Sequence, residues 1–195
     1  MRIVLASGNA GKLLELSALL APLGHELVTQ VSLGIAGVEE TGDTFAANAL
    51  LKARHAAAAS GLPALADDSG LEVEALGGAP GVYSARYAGT GACDADNLHK
   101  LLGALEGVPD ARRGARYRCV LALVLTAADP APVIAAGAWE GRIAPAPRGS
   151  GGFGYDPIFV PEGEVRTAAE LPAGEKNRCS HRAKALAALL AQLQA

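Results

Sequence analysis

Apolar positions open the chain as a short continuous run and then fall into helical spacing. Ile3-Val4-Leu5-Ala6 predicts a buried strand, and a polar turn, Ser7-Gly8-Asn9-Ala10-Gly11-Lys12, follows it. Leu13, Leu14, Leu16, Leu19 and Leu20 then recur on one helix face. Pro22 and Gly24 stop that helix, and Glu26 to Val31 predicts a second strand. A helix is expected from about Thr44 to Ser60, with Phe45, Ala49 and Ala53 on one face, Asp43 or Thr44 as its cap and Gly61 closing it. Leu62 to Ala66 predicts a short buried strand, and the alternation over Leu71 to Leu76 predicts a half-exposed one. Asp94 to Leu105 reads as a helix. Arg116 to Ala127 and Val133 to Ile143 are β-type segments joined near Asp129-Pro130, so a hairpin is expected. Ile158 to Val160 predicts a short strand, and Ser180 caps a last helix from His181 to about Gln194. Helices interleave with strands early while β-type segments dominate later. That order predicts an α/β fold with a mixed sheet flanked by helices, not a clean doubly wound sheet.

Composition narrows the picture further. A chain of 195 residues, half of them hydrophobic, can bury a sizeable core as one domain over 1–195 or as two closely joined lobes. The net charge of −3 argues against a general electrostatic binder of nucleic-acid polymers, although a pocket can still be basic. No apolar run reaches membrane length, so no membrane span is expected. Cys93, Cys119 and Cys179 are odd in number and lack metal-ligand spacing, which leaves the cytoplasm as the default address.

Several segments carry candidate chemistry. Ser7 to Lys12 joins a strand to a helix, so its first-turn N–H groups and its lysine form an anion site. It falls short of a P-loop, which would need Gly at Ala6 and a hydroxyl at Leu13. The alternative is a capped helix start with a solvated lysine. In Ala66-Asp67-Asp68-Ser69-Gly70 two carboxylates follow a strand, and neighbouring side chains on a strand face opposite sides. One aspartate can meet a ligand while the other meets the scaffold; the same letters are also good turn chemistry. Glu39 and Glu40 read as turn charges, yet with Asp67 and Asp68 they supply enough carboxylate for a hard divalent cation. Lys52 lies on the helix behind that turn, where a lysine is ordinarily solvated. The loop Gly151-Gly152-Phe153-Gly154-Tyr155-Asp156-Pro157 places two aromatics in a chain with few. Phe153 or Tyr155 could stack on a nucleobase or anchor the loop. Lys176, His181 and Arg182 cluster around the expected start of the last helix, where cations oppose the helix dipole and favour an anionic partner.

These segments, in this order, resemble the inosine/xanthosine triphosphate pyrophosphatase family over nearly the whole chain. The resemblance rests on SGNAGK at Ser7–Lys12, EETGDTFAANALLKA at Glu39–Ala53, ADDSGLEV at Ala66–Val73, GGAPGVYSARYAG at Gly77–Gly89, GGFGYDPIF at Gly151–Phe159 and EKNRCSHRAKAL at Glu175–Leu186. It implies an elongated mixed sheet with helices, two lobes around a central cleft, a homodimer and a requirement for Mg2+. The implied reaction hydrolyses ITP, dITP or XTP to the monophosphate and pyrophosphate. Carried over by residue, Ser7, Gly8, Asn9, Ala10, Gly11, Lys12 and Lys52 belong to substrate binding, with Ser7, Asn9 and Lys12 on the triphosphate. Glu40 and Asp68 would hold the metal, and Asp68 would also be the general base. Ser69 would touch the nucleotide. Phe153, Gly154, Tyr155 and Asp156 would frame the base, with Lys176, His181 and Arg182 completing its recognition. Ser7 stands where many relatives carry Thr, and the hydroxyl is kept. Asn177 to Cys179 receive no role. Competing readings are a Maf-like pyrophosphatase for modified pyrimidine nucleotides, a nucleotide-binding regulator without turnover, and a kinase-like phosphotransferase, which the failed P-loop opposes. A sensor has no need of a water-activating carboxylate, so the Asp67-Asp68 pair speaks against the regulator.

Overall fold

Strand β1, Arg2–Ala6, is buried over Ile3, Val4, Leu5 and Ala6, as expected of a strand covered on both faces. In the computed structural model, which describes residues 2–194, it pairs in parallel with β2, Glu26–Thr29, and with β3, Ala64–Val73. Leu5 lies opposite Thr29 on one side and Leu65 on the other. The sheet continues through β4, Gly114–Val124, β5, Val133–Ile143, and β6, Phe159–Pro161, in the order β2-β1-β3-β4-β5-β6. β5 and β6 are antiparallel, so the sheet is mixed. The helices are α1 at Ala10–Leu20, α2 at Phe45–Ser60, α3 at Asp94–Ala104, α4 at Ala173–Cys179 and α5 at His181–Leu193.

Local chemistry sets the helix ends. Asn9 caps α1 by accepting from the Lys12 amide at 3.0 Å, and Thr44 caps α2 by accepting from the Ala47 amide at 3.1 Å. Each such cap is worth about 1 kcal/mol. Gly61 closes α2 at φ +68°, in the left-handed region that glycine adopts without penalty.

The described residues form two compact units. The first comprises the chain up to Asp68, Cys119–Gly137 and the chain from Arg182 onward. Ile3, Leu5, Leu16, Leu20, Leu65 and Leu121 belong to its core. The second comprises Ser69–Arg118 and Ala138–His181, around Leu71, Leu101, Tyr117, Trp139, Phe159 and their neighbours. The chain passes between units inside β3, β4 and β5 and at the start of α5. No helix among the described residues is long and apolar enough to cross a membrane.

Three expectations change. The predicted break at Ser69-Gly70 is absent: β3 runs unbroken from Ala64 to Val73, and the segment expected as a separate strand is its end plus a 3-10 turn at Glu74–Leu76. Asp67 and Asp68 are therefore buried strand residues, at 1% and 4% exposure, rather than turn residues. Glu175 and Lys176 lie on α4, a short helix of their own, and not on the start of the last helix. Ser180 separates the two with extended backbone at φ −66° and ψ 162°.

Candidate functional site

In the first unit the adjacent aspartates of β3 carry separate networks. Asp67 Oδ1 meets Lys12 Nζ at 2.6 Å, and Asp67 Oδ2 accepts from Arg182 Nε at 2.8 Å and from the Cys119 thiol at 3.1 Å. Arg182 Nη1 also donates to the buried Glu15 of α1. Burial alone would raise Asp67, but the charges of Arg182 and Lys12 and their hydrogen bonds hold it well below the usual carboxylate range. For Arg182 burial pulls the other way too, and the Asp67 charge, with Cys119 and Glu15, keeps the guanidinium firmly protonated. Burial, reinforced by Asp67, pushes the Cys119 thiol far up, so it is an inert core group.

Asp68 has a different environment. Its Oδ1 accepts from Lys52 Nζ at 2.7 Å, and the same ammonium binds Glu40 Oε1 at 2.7 Å. Asp68 Oδ2 is buried with no hydrogen-bond partner among the described residues. Burial raises the Asp68 carboxyl above its ordinary value, more than Lys52 and Lys12 pull it down. Burial would lower Lys52, but the charges of Asp68 and Glu40 and its bonds to both outweigh that and keep it protonated. Asp67 is thus a saturated, permanently ionised anchor. Asp68 keeps one oxygen in reserve.

That oxygen bears on the metal question. Magnesium takes one or two protein carboxylates and fills its shell with water and phosphate. Glu40 and Asp68, bridged by the Lys52 ammonium and with Asp68 Oδ2 buried without a hydrogen-bond partner among the described residues, are the carboxylates that could hold such an ion. No group of three or more His, Cys, Asp and Glu suited to a metal occurs among the described residues.

The turn before α1 completes this unit's cluster. Asn9 N donates to Ser7 Oγ at 3.2 Å, which fixes the turn. Gly8, Asn9 and Ala10 are exposed. Ala10 and Gly11 open the first turn, where amides have no intrahelical acceptor. The capped helix start is observed, and the solvated lysine is not: Lys12 is paired with Asp67.

In the second unit Asp156 is the hub. Its Oδ2 accepts from Lys176 Nζ and from the Phe153 amide at 2.9 Å, and its Oδ1 accepts from Tyr117 Oη at 3.2 Å. Gly152, at φ +71°, passes so close that a Cβ there would lie 2.0 Å from Asp156 Oδ2. Lys176 Nζ stands 5.0 Å from the Phe153 ring centroid, a cation–π contact. Gly154 N donates to Asp94 Oδ2 at 2.7 Å. His181 is buried and stacks on Tyr117, with centroids 4.7 Å apart and planes 11° from parallel. Of the two loop aromatics, Tyr155 is buried in the core and its hydroxyl donates to Ser84 O at 2.8 Å, so it anchors the loop. Burial keeps that hydroxyl protonated. Phe153 is partly exposed.

The expected residues therefore form two groups. Ser7 to Lys12, Glu40, Lys52, Asp68 and Arg182 belong to the first unit; Ser69, Phe153 to Asp156, Lys176 and His181 belong to the second. Asp68 and Ser69 are consecutive, as are His181 and Arg182, so the chain leaves and re-enters the first unit at expected site residues. Glu15 and Tyr117 join these networks without having been expected there, and Asn48, buried on the helix of Lys52, accepts from the Gly42 amide at 2.8 Å. Glu15 offered a signal, a carboxylate within the apolar stripe of α1 three residues after Lys12. Asn48 offered another, an amide four residues before Lys52 at a buried position of α2.

Fold and site together define an α/β protein with a mixed sheet, a capped helix start after β1, and buried carboxylates paired with lysines and an arginine. The chain belongs to the Ham1 family, whose profile matches residues 3–192. It is 59% identical over 194 residues to a dITP/XTP pyrophosphatase of Methylococcus capsulatus, covering 100% of this chain and 96% of that one. It is 55% identical to one from Escherichia coli O157:H7, covering 99% and 98%. Among solved structures, a HAM1 protein from Coxiella burnetii superposes with a TM-score of 0.90 at 52% identity, covering 100% of this chain and 98% of that one.

Proposed function

We propose that this protein is a nucleoside-triphosphate pyrophosphatase that hydrolyses deaminated purine nucleotides, dITP, ITP and XTP, to the monophosphate and pyrophosphate. The relatives' activity and the two side-chain clusters support this reading together. The observation that carries it is the contrast between the aspartates: Asp67 is saturated, whereas Asp68 holds a buried, uncommitted oxygen.

Lys12 and the first-turn amides of α1 bind the triphosphate, and Lys52 offsets charge beside Asp68. A water attacks the α-phosphorus, its proton passes to Asp68, and the bond from that phosphorus to the bridging oxygen breaks to release pyrophosphate. A raised carboxyl suits that task, because the base has to accept a proton near neutral pH. Bound Mg2+, held by Glu40 and Asp68, would neutralise the phosphate oxygens. Phe153 stacks on the base, and Lys176, His181 and Arg182 favour a carbonyl at position 6 over the amino group of adenine. Uracil and thymine also present ring carbonyls, so it is the dITP/XTP pyrophosphatase relatives and the Ham1 family match that weigh against the Maf-like alternative. The test is product analysis with ITP: IMP and pyrophosphate as the first products are expected, and IDP with inorganic phosphate would overturn the reading.

A homodimer completes the proposal. Tyr83 is 56% exposed in the glycine-bounded segment 77–89, with the Arg86 guanidinium 5.2 Å from its ring. Sedimentation at micromolar concentration is expected to give the mass of two chains, and a monomer would remove this part.

A further inference from the structure

Asn48 is completely buried in α2, where Phe45, Ala49 and Ala53 are buried as well. An amide in such a place has to find partners at both ends, because an unmet polar group costs about 1–3 kcal/mol. Its Oδ1 accepts from the Gly42 amide at 2.8 Å. Its Nδ2 is buried and finds no acceptor among the described residues. Alanine or leucine in its place would take the acceptor from the Gly42 amide, so the carboxamide ties the segment before α2 to the helix.

Gly42 shows what the Oδ1 end does. A Cβ on Gly42 would lie 2.7 Å from Asn48 Oδ1 and 2.8 Å from the Ala47 Cβ. Its φ is not in the positive range, so the glycine is required for room and not for backbone freedom. The acidic segment before α2 is thus pressed against the Asn48 carboxamide. Two residues earlier in that segment stands Glu40, bound to Lys52. Lys52 lies four residues after Asn48, one turn along the same helix face. A closed circuit results: Glu40 to Gly42 along the backbone, Gly42 to Asn48 by a hydrogen bond, Asn48 to Lys52 along α2, and Lys52 back to Glu40 and across to Asp68.

We infer that Asn48 is a positioning residue: by clamping the Gly42 amide it seats the Glu40 carboxylate where Glu40, Lys52 and Asp68 meet. The inference rests on the reading that Glu40 serves the reaction, and the experiment separates the two. In the full-length protein Asn48→Ala is expected to lower kcat/KM for ITP about 10–100-fold, the range typical of residues that orient a ligand-bearing group. Glu40→Gln is expected to lose activity in the wild type, but to add less than about threefold when Asn48 is already alanine, because coupled residues do not add. Gly42→Ala breaks the same clamp from outside the helix, so the cycle can be run with it if Asn48→Ala does not fold. Hydrogen exchange supplies a readout without turnover: the Gly42 amide is expected to exchange slowly in the wild type and faster in Asn48→Ala. Additive losses for Asn48 and Glu40, wild-type activity of both clamp variants, or unchanged Gly42 exchange would overturn the inference while leaving Glu40 in the site. Wild-type activity of Glu40→Gln alone would overturn the role of Glu40, and the clamp's purpose with it.

Discussion

Asp68→Asn is expected to lower kcat by at least about 100-fold, the lower range for loss of a general base. The substitution keeps the size of the side chain and an oxygen for Lys52 Nζ, and removes only the charge and the ability to take a proton. Two effects on stability oppose each other. Burial raises the folded pKa of Asp68, so its carboxylate carries a desolvation cost that asparagine relieves. The same change takes the Asp68 charge from the largely buried Lys52 ammonium and leaves it paired with Glu40, which costs stability. The variant is therefore expected to stay folded, with a melting temperature close to that of the wild type, while nearly inactive. Calorimetry and a rate assay on the same sample check both halves. Activity within a few-fold of wild type would make Asp68 a structural residue.

Arg182→Ala is expected to act on both stability and selectivity. The guanidinium is 1% exposed and engages Asp67 and Glu15, so its removal leaves buried carboxylates with one cation fewer. Breaking a buried pair on one side costs about 3–5 kcal/mol. The pH dependence follows from Asp67, whose folded pKa lies well below its ordinary value through Arg182 and Lys12, against the opposing effect of burial. A depressed carboxyl contributes stability that is present above its unfolded pKa and lost as pH falls through the folded one. The deficit of the variant is thus largest near neutrality and shrinks below the ordinary carboxylate range, where the wild type loses the same contribution. Denaturant titrations across pH measure this. For selectivity, a buried donor facing the wrong base edge costs about 1–3 kcal/mol, more when charged. Arg182→Ala is therefore expected to lower kcat/KM for ITP more than for ATP. Its bonds to Asp67 and Glu15 fix the plane of the guanidinium. Equal losses for both substrates would confine Arg182 to that scaffold role.

What could be read from local chemistry was read well. α2 announces itself through its cap at Thr44, its alanine stripe and the closing Gly61, and β5 matches its predicted span. The failures have one physical origin, partners remote in sequence. Asp-Asp-Ser-Gly favours a turn when judged by its own letters. It lies in a strand because Lys12, Lys52 and Arg182 supply the charges that let two carboxylates be buried there. α4 leaves little trace in the sequence because it is only seven residues long and Gly174 weakens its helical pattern. The reach of Lys52, which as a helix lysine carried little promise, depends on Glu40 twelve residues before it and Asp68 sixteen after. Glu15 and Tyr117 work by holding other side chains, and Asn48, though inside the Glu39–Ala53 motif, by holding the Gly42 amide, so none of them announces a chemical role of its own. The motif residues themselves are a different matter: Lys12, Glu40, Asp68, Phe153, Asp156 and Lys176 all lie within the two networks that organise the units.

The most direct test of the proposed function is the identity of the first products. Purified protein is mixed with ITP and magnesium, and the nucleotide and phosphate products are separated at early times. Attack at the α-phosphorus predicts IMP and pyrophosphate in equal amounts, with no IDP at any time and turnover lost in Asp68→Asn. IDP with inorganic phosphate as the first products would place attack at the γ-phosphorus and contradict the account.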